Sequence, residues 1–243
     1  MSISFRSMYE KVNFKLLVID LLKAAKRMYS LDELSRILDE PPSVLSRYIH
    51  GRIFPSDDKL VKIYYKLRET VDLAALIRYS IEVDKSGFLN NQALVGDTTL
   101  LRLASAYVLE RLDHKVDKVL SPAADGIPFA TIVAEHLRVP IVIAKTTKEV
   151  GVKKFLEKTY VSEDGTLTTY YIDKRLIKKG DRVLIVDDVL RTGRTHKCLI
   201  EMIDSAGAVP VAIVVLIAIG NKWKKTLPAH VPVDYILHIF AST

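Results

Sequence analysis

Residues 183–195 read VLIVDDVLRTGRT, and this run constrains the fold more than any other part of the chain. Four aliphatic residues of high β-propensity form a strand too apolar to face water on either side. Two adjacent acids, two more aliphatics and the tight loop Arg191, Thr192, Gly193, Arg194, Thr195 follow, and the loop opens a helix. Carboxylates placed directly after a buried strand are costly without a partner. The run therefore predicts a strand–loop–helix unit with a polar site at the strand's C-terminal end.

The neighbouring pattern says what surrounds that unit. Short β-branched runs at 118–120, 141–144, 183–186 and 209–217 alternate with helical stretches at 127–137 and 195–206. That alternation marks a parallel sheet with crossover helices. Before about residue 70 the chain reads as helix alone: 14–28 with Asn13 as its cap, 31–38 opened by Ser30, 42–50 ended by Gly51, and a fourth from 55–56 to about 67. The expected fold class is α/β, with a helical module at 1–75 and a parallel-sheet domain at 76–243.

Composition excludes several classes. The 49% hydrophobic and 27% charged content is that of a folded globular chain. No run reaches the roughly 18 apolar residues of a membrane span, so no membrane partner is expected. The charged N-terminus lacks the apolar core of a signal peptide. The single cysteine, Cys198, allows no internal disulfide and no cysteine metal cluster, and a cytoplasmic location fits. Residues 1–70 hold 13 basic against 9 acidic side chains, while the longer remainder holds 23 against 20. The positive excess is concentrated near the N-terminus, which suits a polyanionic partner there.

The chemistry of the 183–195 run can be stated residue by residue. Loop N–H groups and the following helix N-terminus make a concave anion site suited to a 5′-phosphate. Gly193 lets the main chain approach a ligand, and Thr192 and Thr195 add hydroxyl donors. Asp187 and Asp188 can accept hydrogen bonds from ribose 2′- and 3′-hydroxyls. The run resembles the phosphoribosyl pyrophosphate signature of type I phosphoribosyltransferases, and the resemblance extends over roughly residues 85–243. Within it, 118–130 (KVLSPAADGIPFA) is similar to the family's pyrophosphate loop, which implies a role for Ala123, Ala124, Asp125 and Gly126. Asp125 fits less comfortably, because an acid beside pyrophosphate repels it unless Mg²⁺ or a basic neighbour intervenes. The resemblance implies Mg²⁺ carried by the pyrophosphate, with no direct protein ligands. It also implies a lysine-rich hood over 145–179 with a turn at Asp164-Gly165, and Lys145 reaching the pyrophosphate. Many members build a nucleobase hood from the segment after the last long strand. Here that is 220–243, where Trp223 could stack on a purine or simply pack.

Residues 30–49 (SLDELSRILDEPPSVLSRYI) place Leu34, Ile37, Leu38, Val44, Leu45 and Tyr48/Ile49 for two short helices over one core. They resemble the helix-turn-helix of phage-repressor-like regulators, with Asp39 where the turn usually has a left-handed glycine. The resemblance makes 42–50 the reading helix for double-stranded DNA, with Ser43, Ser46, Arg47, His50 and Arg52 on the accessible side. Arg47 could meet a guanine edge or a phosphate. The same helices would also suit protein contact or dimerisation.

Two functions compete. One is a homodimeric DNA-binding transcription regulator whose phosphoribosyltransferase-like domain senses phosphoribosyl pyrophosphate or a nucleotide. The other is a purine or pyrimidine phosphoribosyltransferase of salvage with an added helix-turn-helix module. Asp125 and the lack of a legible base pocket weigh towards the regulator.

Overall fold

The structure, a computed structural model, describes residues 5, 7–83, 89–162 and 165–240. The chain divides into two compact units, Met1–Ser80 with Asp97–Leu103, and Ile81–Gly96 with Ala104–Thr243.

The first unit is helical. α1 (Met8–Met28) is capped by Ser7, whose side chain accepts from the Glu10 N–H. It starts several residues before the expected Asn13, because Met8, Tyr9 and Val12 are exposed and give no amphipathic signal. α2 (Leu31–Leu38) opens on a full capping box: Ser30 accepts from the Glu33 N–H, and the Glu33 carboxylate accepts from the Ser30 N–H. α3 (Pro42–Ile49) begins with a proline where no N–H is needed. His50 lies just beyond it as the C-cap. α4 (Asp57–Thr70) and α5 (Leu73–Tyr79) follow; α5 has no clear sequence signal, being only two turns long. Val18, Leu22, Leu34, Leu38, Leu45, Tyr48, Leu60, Ile63 and Leu67 form one core, with Ile37 and Val44 packed at its edge. Within this unit Arg102 holds the buried Asp20 through two hydrogen bonds, Nε to Oδ2 at 2.7 Å and an Nη to Oδ1 at 3.0 Å.

The second unit starts with a minimal antiparallel pair, β1 (Glu82–Val83) and β2 (Leu89–Asn90), and the single turn α6 (Gln92–Val95). α7 (Thr98–Leu109), of which residues 98–103 count with the first unit, precedes the main sheet. Its strands are β3 (Lys118–Pro122), β4 (Ile141–Ala144), β7 (Arg182–Leu190), β8 (Val209–Ile219) and β9 (Val233–Ile239), all parallel in the order β4-β3-β7-β8-β9. α8 (Ile127–Leu137) connects β3 to β4, and α9 (Arg194–Ser205) connects β7 to β8. Between them lies an antiparallel hairpin, β5 (Phe155–Val161) and β6 (Leu167–Asp173). Gly165 takes its turn at φ 85°; Asp164 lies outside the described residues.

Two expectations change here. β7 does not stop at Val186 but stays paired to β8 as far as Leu190↔Ala218, carrying both acids within the strand. The 220–243 segment forms no hood in its described part. After the single turn α10 (Trp223–Thr226) it returns as the edge strand β9, parallel to β8. An edge strand half-buried throughout shows no clean alternation, so the sequence signal is weak. No helix among the described residues is long and apolar enough to cross a membrane.

Asp39 has φ 56° and ψ 46°, the left-handed conformation the α2–α3 turn requires. Asp39→Gly should therefore leave stability unchanged or raised, whereas Asp39→Val should lower it by about 1–2 kcal/mol in urea unfolding. A valine variant as stable as wild type would contradict this turn.

Candidate functional site

Strand order fixes where a ligand can enter. From β3 the chain moves outward to β4, and from β7 it moves the other way to β8, so the loops after β3 and β7 diverge. The crevice outside the C-terminal ends of such a pair is where open parallel sheets bind ligands. The 122–126 loop and the 191–195 loop both lie at this edge.

Asp187 is 7% exposed and Asp188 half-buried. The Asp188 N–H donates to Asp187 Oδ1 at 2.9 Å, and the Asn91 side-chain amide donates to Asp188 Oδ2. Burial pushes Asp187 up to about 6, with the charge of Asp125 adding to it and the hydrogen bonds from Asp188 opposing it. Burial and the charge of Asp187 push Asp188 up to about 7, against the Asn91 hydrogen bond. Both carboxyls thus hold protons more tightly than in water and are ready to exchange them for hydroxyl or cation partners.

The first loop is shaped around this pair. Ala123 is tied by its N–H to the Ala144 carbonyl at 2.9 Å, and the Ala123–Ala124 peptide is cis. Asp125 is exposed, and Gly126 is the N-cap residue of α8. A Cβ on Gly126 would stand 2.3 Å from Asp187 Oδ1 and 3.0 Å from Ser121 Oγ. Glycine is needed here for close approach to the carboxylate, a requirement separate from any ligand contact.

The second loop is fixed from below. Gly193, at φ 77°, caps α9, and a Cβ there would crowd Leu227 at 3.1 Å and Trp223 at 3.2 Å. Trp223 is 7% exposed and donates its indole N–H to the Gly220 carbonyl at 3.0 Å. Of its two sequence readings the structure favours packing: the ring is buried and lies edge-on to Tyr235. Arg194 points to the hairpin, donating to the carbonyls of Val161 at 3.1 Å and Ser162 at 2.8 Å. The Thr195 hydroxyl shares a hydrogen bond of 2.9 Å with the Tyr160 hydroxyl. Arg191 and Thr192 are half-buried in the same loop, with the Thr192 hydroxyl accepting weakly from the Arg194 N–H at 3.5 Å.

Lys145 follows β4 and forms an ion pair with Glu149 at 2.9 Å. Lys148 pairs with Glu157 and Lys158 with Glu201, each at 2.9 Å, while Lys153 and Lys154 are exposed. Three residues were not legible as parts of this edge: Asn91, which reaches Asp188 from a segment with little regular structure, Tyr160 on the hairpin, and His196 beneath Asp187. Residues Ser43, Arg47, His50 and Arg52 belong to the first unit, exposed on and just after α3, with Ser46 half-buried. The His50 Nδ1 lies 2.6 Å from the Ser46 carbonyl oxygen.

Gly126→Ala should force the first loop or the Asp187 carboxyl to shift and lower stability by about 1–3 kcal/mol in urea unfolding. An alanine variant as stable as wild type would contradict this close approach.

Comparison with known proteins bears on the same region. The phosphoribosyl transferase domain model matches residues 98–236. The chain is 33% identical over 159 residues to the hypoxanthine/guanine phosphoribosyltransferase of Methanocella paludicola, covering 65% of this chain and 81% of that one. It is 30% identical to the xanthine phosphoribosyltransferase of Laribacter hongkongensis, covering 67% and 86%. The adenine phosphoribosyltransferase structure from Rhodothermus marinus superposes with a TM-score of 0.63 at 28% identity, covering 69% of this chain and 98% of that one. With the sheet order, the acid pair and the two loops already in place, these matches make the chain a member of the phosphoribosyl transferase domain family, with a type I phosphoribosyltransferase fold and an added helical region at its N-terminus.

Proposed function

We propose that the chain transfers phosphoribose from phosphoribosyl pyrophosphate to a purine base. The observation that carries this reading is the buried Asp187 beside the half-buried Asp188, near the C-terminal end of β7 and two residues before the loop that leads through Gly193 to the N-terminus of α9. The relatives named for hypoxanthine/guanine, xanthine and adenine support a purine rather than a pyrimidine. This reverses the weight the sequence alone placed on a ligand-sensing regulator.

In this reading the main-chain N–H groups of 192–195 and the hydroxyls of Thr192 and Thr195 take the 5′-phosphate. Asp187 and Asp188 accept the ribose hydroxyls. The 123–126 main chain and Lys145 face the pyrophosphate, Lys145 giving up its exposed pair with Glu149 to do so. Asp125, Asp187 and Asp188 together repel a bare polyanion, so the donor set suits a pyrophosphate that brings its own Mg²⁺. Among the described residues no group of three or more His, Cys, Asp or Glu side chains converges to hold that ion directly. The C1′–O bond to pyrophosphate breaks through an oxocarbenium-like state, the base nitrogen forms the new bond to C1′, and the base N–H proton is released. The 155–173 hairpin, tied to the phosphate loop by Arg194 and Tyr160, excludes water from that state.

A second property rests on its own observation. Asp39 puts the turn between α2 and α3 in the left-handed conformation, and residues 41–56 contain no acid. We infer that the 1–75 module binds double-stranded DNA through Arg47, His50 and Arg52, in a homodimer that presents two such modules. Arg47→Ala should then weaken duplex binding by about 1–3 kcal/mol at specific sites, or uniformly if it meets a phosphate. Wild-type protein with no salt-dependent binding to any duplex would remove this property.

The main test is incubation with phosphoribosyl pyrophosphate, Mg²⁺ and each purine in turn. Nucleotide and pyrophosphate should form with at least one base, and Asp187→Asn or Asp188→Asn should cut ligand affinity on the order of 10- to 100-fold. Both folded pKa values lie above the ordinary carboxylate value. The pair is therefore ionised above about pH 7 and takes up protons as pH falls through 7 to 6, so affinity should fall over that window. The asparagine variants, unable to titrate, should lose that part of the dependence. Tight ligand binding with no product from any purine would return the chain to the sensing regulator.

A further inference from the structure

His196 is the third residue of α9 and faces the core beside Leu199, Ile200 and Ile203. The ring is 3% exposed, and its Nε2 is buried with no aligned hydrogen-bond partner among the described residues. Asp187 Oδ2 lies 3.3 Å from it. An apolar side chain would fill this position without leaving a polar atom unpaired, so packing alone does not account for an imidazole here.

Burial lowers the ring's pKa to about 4, so at neutral pH it is uncharged and carries one proton on one of its two nitrogens. The charged surroundings decide which. Asp188 acts on the ring from β7, and Asp187 Oδ2, on the same strand, lies 3.3 Å from Nε2. Tyr170, on β6, feels Asp187 too but remains protonated, its phenol pushed up by burial. A negative field on the Nε2 side favours the tautomer with the proton there. Asp187 Oδ1 accepts from the Asp188 N–H at 2.9 Å, and Oδ2 is the oxygen that faces the ring, 3.3 Å from Nε2.

We propose that His196 is a positioning residue for this site: its Nε2–H donates to Asp187 Oδ2 and, with the Asp188 N–H on Oδ1, sets the carboxyl plane that receives the ribose. Each oxygen then has one lone pair occupied by the protein and one left for a ligand hydroxyl. The contact is off-axis in this structure, and a small turn of the carboxyl aligns it. Its role in binding rests on the reading of Asp187 as a ribose ligand; the hydrogen bond itself does not.

The test compares the full-length wild type with His196→Gln, which keeps an N–H donor, and His196→Met, which fills the space without one. In the ligand-free protein, ¹⁵N-edited NMR should show Nε2 of His196 as the protonated, pyrrole-type nitrogen. Mg²⁺-phosphoribosyl pyrophosphate affinity should fall on the order of 10-fold in the methionine variant and stay within about threefold of wild type in the glutamine variant, with thermal unfolding unchanged in both. A proton on Nδ1 would overturn the inference, as would a folded methionine variant that binds like wild type, or a glutamine variant that loses as much as the methionine. If the methionine variant does not fold, the tautomer and the glutamine variant decide. Wild-type protein that shows the Nε2–H tautomer but binds no phosphoribosyl pyrophosphate would instead sink the ribose reading, leaving the hydrogen bond standing.

Discussion

Burial of two adjacent carboxylates at the end of β7 is the constraint on which the second unit's architecture turns. Removing a charged group from water is costly unless donors replace the lost hydration. Here the donors come from different parts of the chain: the Asp188 backbone N–H within the strand, and Asn91 from 97 residues upstream. Gly126 contributes by having no side chain, which lets the first loop close over Asp187. The compensation is incomplete, and the raised pKa of both acids measures how far.

The phosphate loop shows the same division between scaffold and chemistry. Gly193 must be glycine for its positive φ and for the Trp223 Cα and Cβ and the Leu227 side chain packed beneath it. Trp223 thus supports the loop from below, with its ring packed edge-on to Tyr235. On the upper side Arg194 and Thr195 reach the hairpin, so part of the loop's own hydrogen-bonding capacity is spent on holding β5 and β6. Lys145 and Lys148, ahead of the hairpin, and Lys158 within it are paired with Glu149, Glu157 and Glu201.

Much of the fold was legible because each signal was local. The aliphatic runs at 118–120, 141–144, 183–186 and 209–217 all became parallel strands, and Ser30 placed the start of α2. The first turns of α1, the two-turn α5 and the edge strand β9 were not legible, since exposure or even half-burial erases the period that reports an element. The site was legible in its loops, where residue type follows from backbone need. Asn91, Tyr160 and His196 were hidden for another reason: each matters through one contact across the fold, and sequence spacing carries no record of such contacts. Trp223 shows the converse, an aromatic whose rarity drew attention but whose burial gives it a packing role.

The central claim is that the buried pair and the loop after it form one ribose-phosphate site. A crystal structure of the protein with a purine nucleoside 5′-monophosphate tests this most directly. The account predicts the phosphate on the main-chain N–H groups of 192–195, and both ribose hydroxyls within hydrogen-bond distance of Asp187 and Asp188. A nucleotide bound elsewhere, or one whose ribose turns away from the two acids with the phosphate still seated, would contradict it.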